Sequence, residues 1–176
     1  MLQIACIAVL LWIMTMALKR IEQRWPRGRC RSALYLALGA YLAGNLYFTL
    51  LSRTPGSGAT LSLEPLRAFR HMAELEMLEI KNAQGFALTF LNGTSPLTGA
   101  LLNVMLYYPM GYLLPKVFPQ LKGWQVLLIG CAASALTELA QYLLAMGCCD
   151  IDDLIYNALG TALGALFCKR RIKAMR

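Results

Sequence analysis

Residues 124–146 read WQVLLIGCAASALTELAQYLLAM. About 20 mostly apolar residues cross a hydrocarbon core about 30 Å thick, and in this run the one charged residue is Glu138. Four other runs have the same character, at about 2–18, 32–51, 97–115 and 152–168. Hydrophobic residues make up 58% of the 176-residue chain, above the roughly 45–50% of soluble domains, and they are gathered into these runs. The chain therefore reads as an all-α integral membrane protein. It would be a five-helix transmembrane bundle forming one domain over residues 1–176, with one long extracytoplasmic loop containing an amphipathic helix.

Charge sets the direction of the spans, because basic residues gather on the cytoplasmic side. Net charge is +8. Thirteen of the seventeen Lys and Arg residues lie in segments 19–31 and 116–123 and in the tail after residue 168. Arg53, Arg67, Arg70 and Lys81 are the remaining four, and seven of the nine acids share their side. The first group is expected in the cytoplasm, with the N-terminus outside and the C-terminus inside a bacterial plasma membrane. Membrane orientation accounts for the basic excess, so nucleic acid is not an expected partner. A cleaved signal peptide carries its positive charge before the apolar run. Here Lys19, Arg20 and Arg24 follow it, which fits an uncleaved anchor.

The 52–96 segment is the long outer loop. It opens with turn chemistry at Thr54-Pro55-Gly56-Ser57-Gly58. Phe69, Met72, Leu75 and Leu78 recur every three residues, as in an amphipathic helix lying on the outer surface. Residues 84–91 are apolar but too short to span, which suits an interfacial or re-entrant segment. Asn92-Gly93-Thr94 matches a glycosylation sequon and is read as coincidence. Of the six cysteines, Cys6, Cys131 and Cys168 lie in apolar runs, and Cys30, Cys148 and Cys149 complete the set. They are expected to be unpaired. With His71 the single histidine, no metal-ligand spacing stands out, and no cofactor is expected.

The informative residues are the polar ones inside the spans. Asn45 and Thr49 are four apart, as are Asn103 and Tyr107, and Asp153 and Asn157. Ser134, Glu138 and Gln141 follow an i, i+4, i+7 spacing. Each set lies on one helix face. At 1.5 Å per residue, Asn45, Asn103, Gln141 and Asn157 fall roughly 7–9 Å from the outer ends of their spans, and Glu138 roughly 12 Å. Oppositely directed helices thus place polar groups in one outer layer. Gly160 and Gly164 form a small-xxx-small seam that permits close helix packing.

An acid at the depth of Glu138 costs a few kcal/mol on insertion scales. It must be protonated, hydrogen-bonded to Gln141, Asn157 or Asn103, or paired with a cation, for which Arg53 is nearest by topology. Interhelical hydrogen bonds that glue the bundle would account for the amides. An ionisable group exceeds what glue requires, so a pocket open to the outer leaflet is the favoured reading. Asp152 or Asp153 could instead serve as an N-terminal cap.

Three stretches resemble the VanZ-like family of bacterial membrane proteins. Asn103-Val-Met-Leu-Tyr-Tyr-Pro109-Met-Gly111-Tyr-Leu-Leu-Pro115 is similar to its N-x-x-x-F-x-P-x-G-(F/Y)-x-x-P. Glu138-Leu-Ala-Gln141 is similar to its E-x-x-Q. Asp150-Ile-Asp152-Asp153-Leu-Ile-Tyr-Asn157-Ala-Leu-Gly160 is similar to its D-(V/I)-D-D-x-x-x-N-x-x-G. Leu63-Glu64-Pro65-Leu66 is a weaker match to the apolar-Pro-Phe element of its outer loop. The family usually has an arginine shortly before the D-x-D-D run, where this chain has Ala145-Met-Gly147-Cys148-Cys149. Arg53, Arg67 and Arg70 are the candidates to replace it.

The resemblance implies a role in resistance to glycopeptide antibiotics, teicoplanin in particular. On this reading Glu138, Gln141, Asn103, Asn157, Asp152, Asp153, Arg53 and Tyr107 line a ligand site. Its ligand would be a glycopeptide or a lipid-linked cell-wall precursor, in contact with membrane lipids. A second hypothesis is an intramembrane enzyme with Glu138 as general acid or base, and a divalent ion on Asp150, Asp152 and Asp153 is conceivable there. No serine or cysteine nucleophile is paired with histidine and no nucleotide loop is present, so the non-enzymatic role is preferred. A small transporter ranks third: no internal repeat is visible, though a homodimer would supply ten spans.

Overall fold

The computed structural model describes residues 27–66 and 96–168, together with Thr15, Met16, Arg20 and Arg70. The expected first span (2–18), amphipathic helix (69–78), interfacial segment (84–91), sequon and basic tail lie outside or almost outside the described residues, as do Arg67 and His71. In chain order the elements are α1 (Arg27–Leu46), continued by a π-helical turn (Tyr47–Leu51), β1 (Gly58–Ser62), α2 (Pro96–Val117), α3 (Gly123–Leu143), β2 (Met146–Asp150) and α4 (Ile151–Phe167).

The four α-helices overlap the four later apolar runs, because an apolar span must satisfy its backbone hydrogen bonds internally. Two pass a length-and-apolarity test for crossing a membrane: residues 31–51 and Gly123–Leu143. Helix α4 has 17 residues, short of the usual 20. Helix α2 is long enough, but Asn103, three tyrosines, Pro109 and Pro115 dilute its hydropathy. The five-span expectation thus meets two clear spans among the described residues.

Helix α3 shows which solvent the bundle suits. It buries Val126, Gly130, Ser134, Glu138 and Gln141 while exposing Leu128, Leu136 and Leu143. A helix in water buries its apolar stripe and exposes its polar face. Here polar groups turn inward and leucines outward, the arrangement that lipid favours.

Helix α3 ends at Leu143, three residues before the expected 146. Ala145 at φ 50° and Gly147 at φ 133° turn the chain out of helical geometry. That turn launches β2, which pairs with β1 in parallel, from Gly58 opposite Met146 to Ser62 opposite Asp150. The ladder was not read from the sequence and corrects the all-α description. Gly56 N donates to Leu144 O and Gly58 N to Ala145 O, each at 3.1 Å, and Ser57 Oγ to Ala145 O at 3.3 Å. A two-stranded sheet is marginal alone, and these bonds extend it into the α3 terminus.

Helices α2 and α4 meet backbone to backbone. A Cβ added to Gly111 would lie 1.9 Å from Thr161 O, one on Gly160 2.2 Å from Val104 O, and one on Gly164 2.1 Å from Tyr108 O. The expected Gly160–Gly164 seam is present, and Gly111 completes it from α2. Beside it lies the core of Tyr107, Met110, Tyr112, Leu113, Val117 and Val126, with Leu34 and Leu38 from α1. Gly160→Ala should force α2 and α4 apart at the cost of overpacking, about 1–3 kcal/mol. Gly99→Ala, within α2 and where an added Cβ meets nothing within 4 Å, should not destabilise, since Ala is the better helix former. Thermal unfolding of the two variants in detergent checks this, and equal melting would contradict the seam.

Candidate functional site

The β1–β2 ladder brings three chain segments to one end of the bundle: the exit of α1, the exit of α3 and the entry of α4. Four carboxylates collect there. Asp150 caps α4, its Oδ1 accepting from Asp152 N at 3.0 Å. The capping role expected of Asp152 or Asp153 therefore belongs to Asp150, because β2 delivers that residue in extended geometry (φ −116°, ψ 127°). Asp152 and Asp153 are thereby released for other partners. Asp152 Oδ1 accepts from Leu66 N, across 86 residues. Leu66 sits at φ 56°, a costly conformation for a leucine, and the Asp152 bond holds it. Asp153 Oδ1 accepts from Asn103 Nδ2 on α2.

Glu138 is 7% exposed. Its Oε2 accepts from Asp150 N at 3.1 Å, a backbone partner rather than the Gln141, Asn157 or Asn103 amides expected. Glu138, Asp150 and Asp153 lie within electrostatic range of one another and of Arg53. No salt bridge joins them, and Arg53 Nη1 instead donates to Met146 O at 3.4 Å. The same guanidinium borders Gly147, where an added Cβ would be 3.2 Å from Nη1. Arg53 thus borders the turn that leads into β2 and the D-x-D-D run.

The remaining predicted residues brace this cluster from below. Gln141 Nε2 donates to Thr49 O at 2.9 Å, tying α3 to the π-helical turn, a device common at functional sites. Asn157 Nδ2 donates to Ser134 Oγ at 2.9 Å, and Thr161 Oγ1 to Asn157 O at 2.9 Å. Tyr107, 1% exposed, lies beside Ser134, Thr137 and Glu138. Asn45 stays on its own helix, donating to Tyr41 Oη at 3.2 Å, and does not join the cluster.

Sequence reasoning missed Ser62, the Thr49 carbonyl and Leu66 N. The weak outer-loop match at Leu63–Leu66 was the available signal for the last. Cys131, Cys148 and Cys149 are in no disulfide. Among the described residues no group of three His, Cys, Asp or Glu side chains has metal-holding geometry.

Apolar helices that turn their polar residues inward, around carboxylates at one end, define a helical membrane protein with a polar terminal site. The sequence pattern of the VanZ/LLP1 family matches residues 4–173, and the chain belongs to that family. No curated protein and no solved structure matches it.

Cys149 reports on the charge of Glu138. Burial pushes its thiol above the ordinary value, and the negative charge of Glu138 adds to the effect. A raised value means less thiolate at a given pH. With Cys149 as the sole cysteine, Glu138→Gln should therefore shift its alkylation-rate profile to lower pH and speed alkylation several-fold at pH 8. An unchanged profile would mean that Glu138 presents no charge to Cys149.

Proposed function

We propose that this protein is a single-domain, five-span protein of the bacterial cytoplasmic membrane that lowers susceptibility to teicoplanin-type glycopeptides. It does so without catalysis, by binding an amphipathic drug or a lipid-linked envelope molecule in a polar pocket of the outer leaflet. The N-terminus and the 52–96 loop face out, and the C-terminus faces the cytoplasm. Glu138, Asp152, Asp153, Asn103 and Arg53 contact the ligand, while Gln141, Asn157 and Tyr107 support them.

One observation carries the reading. Four carboxylates, with Glu138 7% and Asp152 3% exposed, converge at one end of an apolar bundle and make no salt bridge. Ionisable groups at membrane depth mark functional sites by default, because structural glue does not require them. The family supports the envelope setting, and Arg53 beside Gly147 supplies the basic group that the motif otherwise lacks.

Glu138→Gln keeps a hydrogen-bond acceptor for Asp150 N and removes only the charge. Glu138→Gln and Arg53→Gln should therefore insert at wild-type levels and lose the susceptibility phenotype. A tag in the 54–58 turn should be reachable from outside in the same cells. Full phenotype in Glu138→Gln would remove that residue from the site, and a protected tag would reverse the topology. Covalently altered envelope lipids in cells carrying the wild type would favour an intramembrane enzyme with Glu138 as acid or base.

A further inference from the structure

The cluster contains more acceptors than the chain can satisfy. Asp152 Oδ2 is fully buried with no hydrogen-bond partner, although Oδ1 of the same carboxylate is bonded to Leu66 N. Ser62 is 4% exposed and its Oγ likewise has no partner. Ser62 is the register partner of Asp150, and residues opposite one another in a ladder carry their side chains on the same face of the sheet. The orphan hydroxyl therefore shares a face with the Asp150 side chain, which caps α4 by accepting from Asp152 N. Buried polar atoms without partners are rare, and each calls for an explanation.

Charge points the same way. Four carboxylates share one guanidinium, whose Nη1 donates to the Met146 carbonyl rather than to any of them. Missing from the site are N–H donors and positive charge. A metal ion would bring charge, but no metal-holding group exists among the described residues. A primary ammonium brings three donors and one positive charge.

The surroundings are apolar. Phe48 and Leu51 stand 67% and 69% exposed on the π-helical turn that Gln141 ties to α3. The apolar remainder of an amphipath seated among the carboxylates would lie in the lipid that such exposed side chains suit. Arg53, itself exposed, could meet an anionic group next to the amine.

We propose that the cluster of Asp150, Asp152, Asp153 and Ser62 binds the primary ammonium group of a membrane-embedded amphipath. The amine belongs either to a phospholipid head group or to a lipidated peptide. The inference rests on the ligand-binding reading above and narrows it to a chemical class.

The test uses the full chain in nanodiscs. Dioleoyl phosphatidylethanolamine is compared with dioleoyl phosphatidylcholine, whose quaternary head has no N–H. Nα-palmitoyl-lysine methyl ester is compared with its Nε-acetyl derivative. Retention on the protein is measured by mass spectrometry for wild type, Asp152→Asn and Ser62→Ala. Asp152→Asn keeps an acceptor for Leu66 N and removes the charge, and Ser62→Ala removes only the hydroxyl; thermal unfolding establishes that both variants fold.

At least ten-fold preference for the free amine in either pair, lost in Asp152→Asn and reduced several-fold in Ser62→Ala, supports the inference. The ethanolamine pair responding identifies a lipid source, and the lysine pair a peptide source. Equal retention of amine and blocked amine in both pairs overturns it. So does a preference that persists in both folded variants. If the ammonium preference fails while Glu138→Gln still abolishes the susceptibility phenotype, the pocket keeps its role and only the ligand class falls.

Discussion

Five paired residues hold the functional end of this molecule together. The parallel ladder between 58–62 and 146–150 joins segments 88 residues apart in the chain. Closing so long a loop carries an entropic cost that grows only slowly with length, and the intervening α2 and α3 supply packing to offset it. Without the ladder, Arg53 would have no fixed relation to Gly147, and Leu66 none to Asp152. Glu138 depends on it as well, because its hydrogen-bond donor is the amide of Asp150, the last residue of β2. The site is therefore a consequence of one strand pairing, braced by the α2–α4 seam below it.

The seam explains how the acids reach one another. Glycines at 111, 160 and 164 let α2 and α4 approach until side chains are excluded between them. That approach puts Asn103 on α2 within hydrogen-bonding reach of Asp153 on α4. Close packing of this kind is the main source of helix association in lipid, where no hydrophobic force drives helices together. The same constraint makes the polar layer costly to disturb, since three of its amides each join two elements. Gln141 reaches the π-helical turn, Asn157 reaches α3, and Asn103 reaches the α4 entry.

Much of the helical frame was legible in the sequence. Runs 97–115, 124–146 and 152–168 lie within three residues of the observed α-helices, and run 32–51 shares its end with α1 and its π-helical turn but starts five residues late, because apolar length is a strong local signal and the basic first turn of α1 is not apolar. The Gly160–Gly164 seam and the inward direction of Glu138 and Gln141 followed from helical spacing. The ladder was not legible. Gly58-Ala-Thr-Leu-Ser62 shows no clean alternation, Met146-Gly-Cys-Cys-Asp150 was partly absorbed into a span, and parallel pairing across 88 residues leaves no local trace. The partner of Glu138 was unreadable because it is a backbone amide. Helical spacing left the cap of the D-x-D-D run between Asp152 and Asp153, and only the direction of β2 selects Asp150.

The account stands or falls on the register of that ladder, and one disulfide measures it. Thr60 is the partner of Cys148, and adjacent strands about 4.8 Å apart lie within the Cα separation of about 4.4–6.8 Å that a disulfide tolerates. With Cys148 as the only native cysteine retained, Thr60→Cys should cross-link to it on mild oxidation in membranes. Leu61→Cys, one residue along and on the opposite face of the strand, should not. Cross-linking of Thr60→Cys alone is the predicted result. Cross-linking of Leu61→Cys in its place, or of neither, would contradict the pairing on which the site depends.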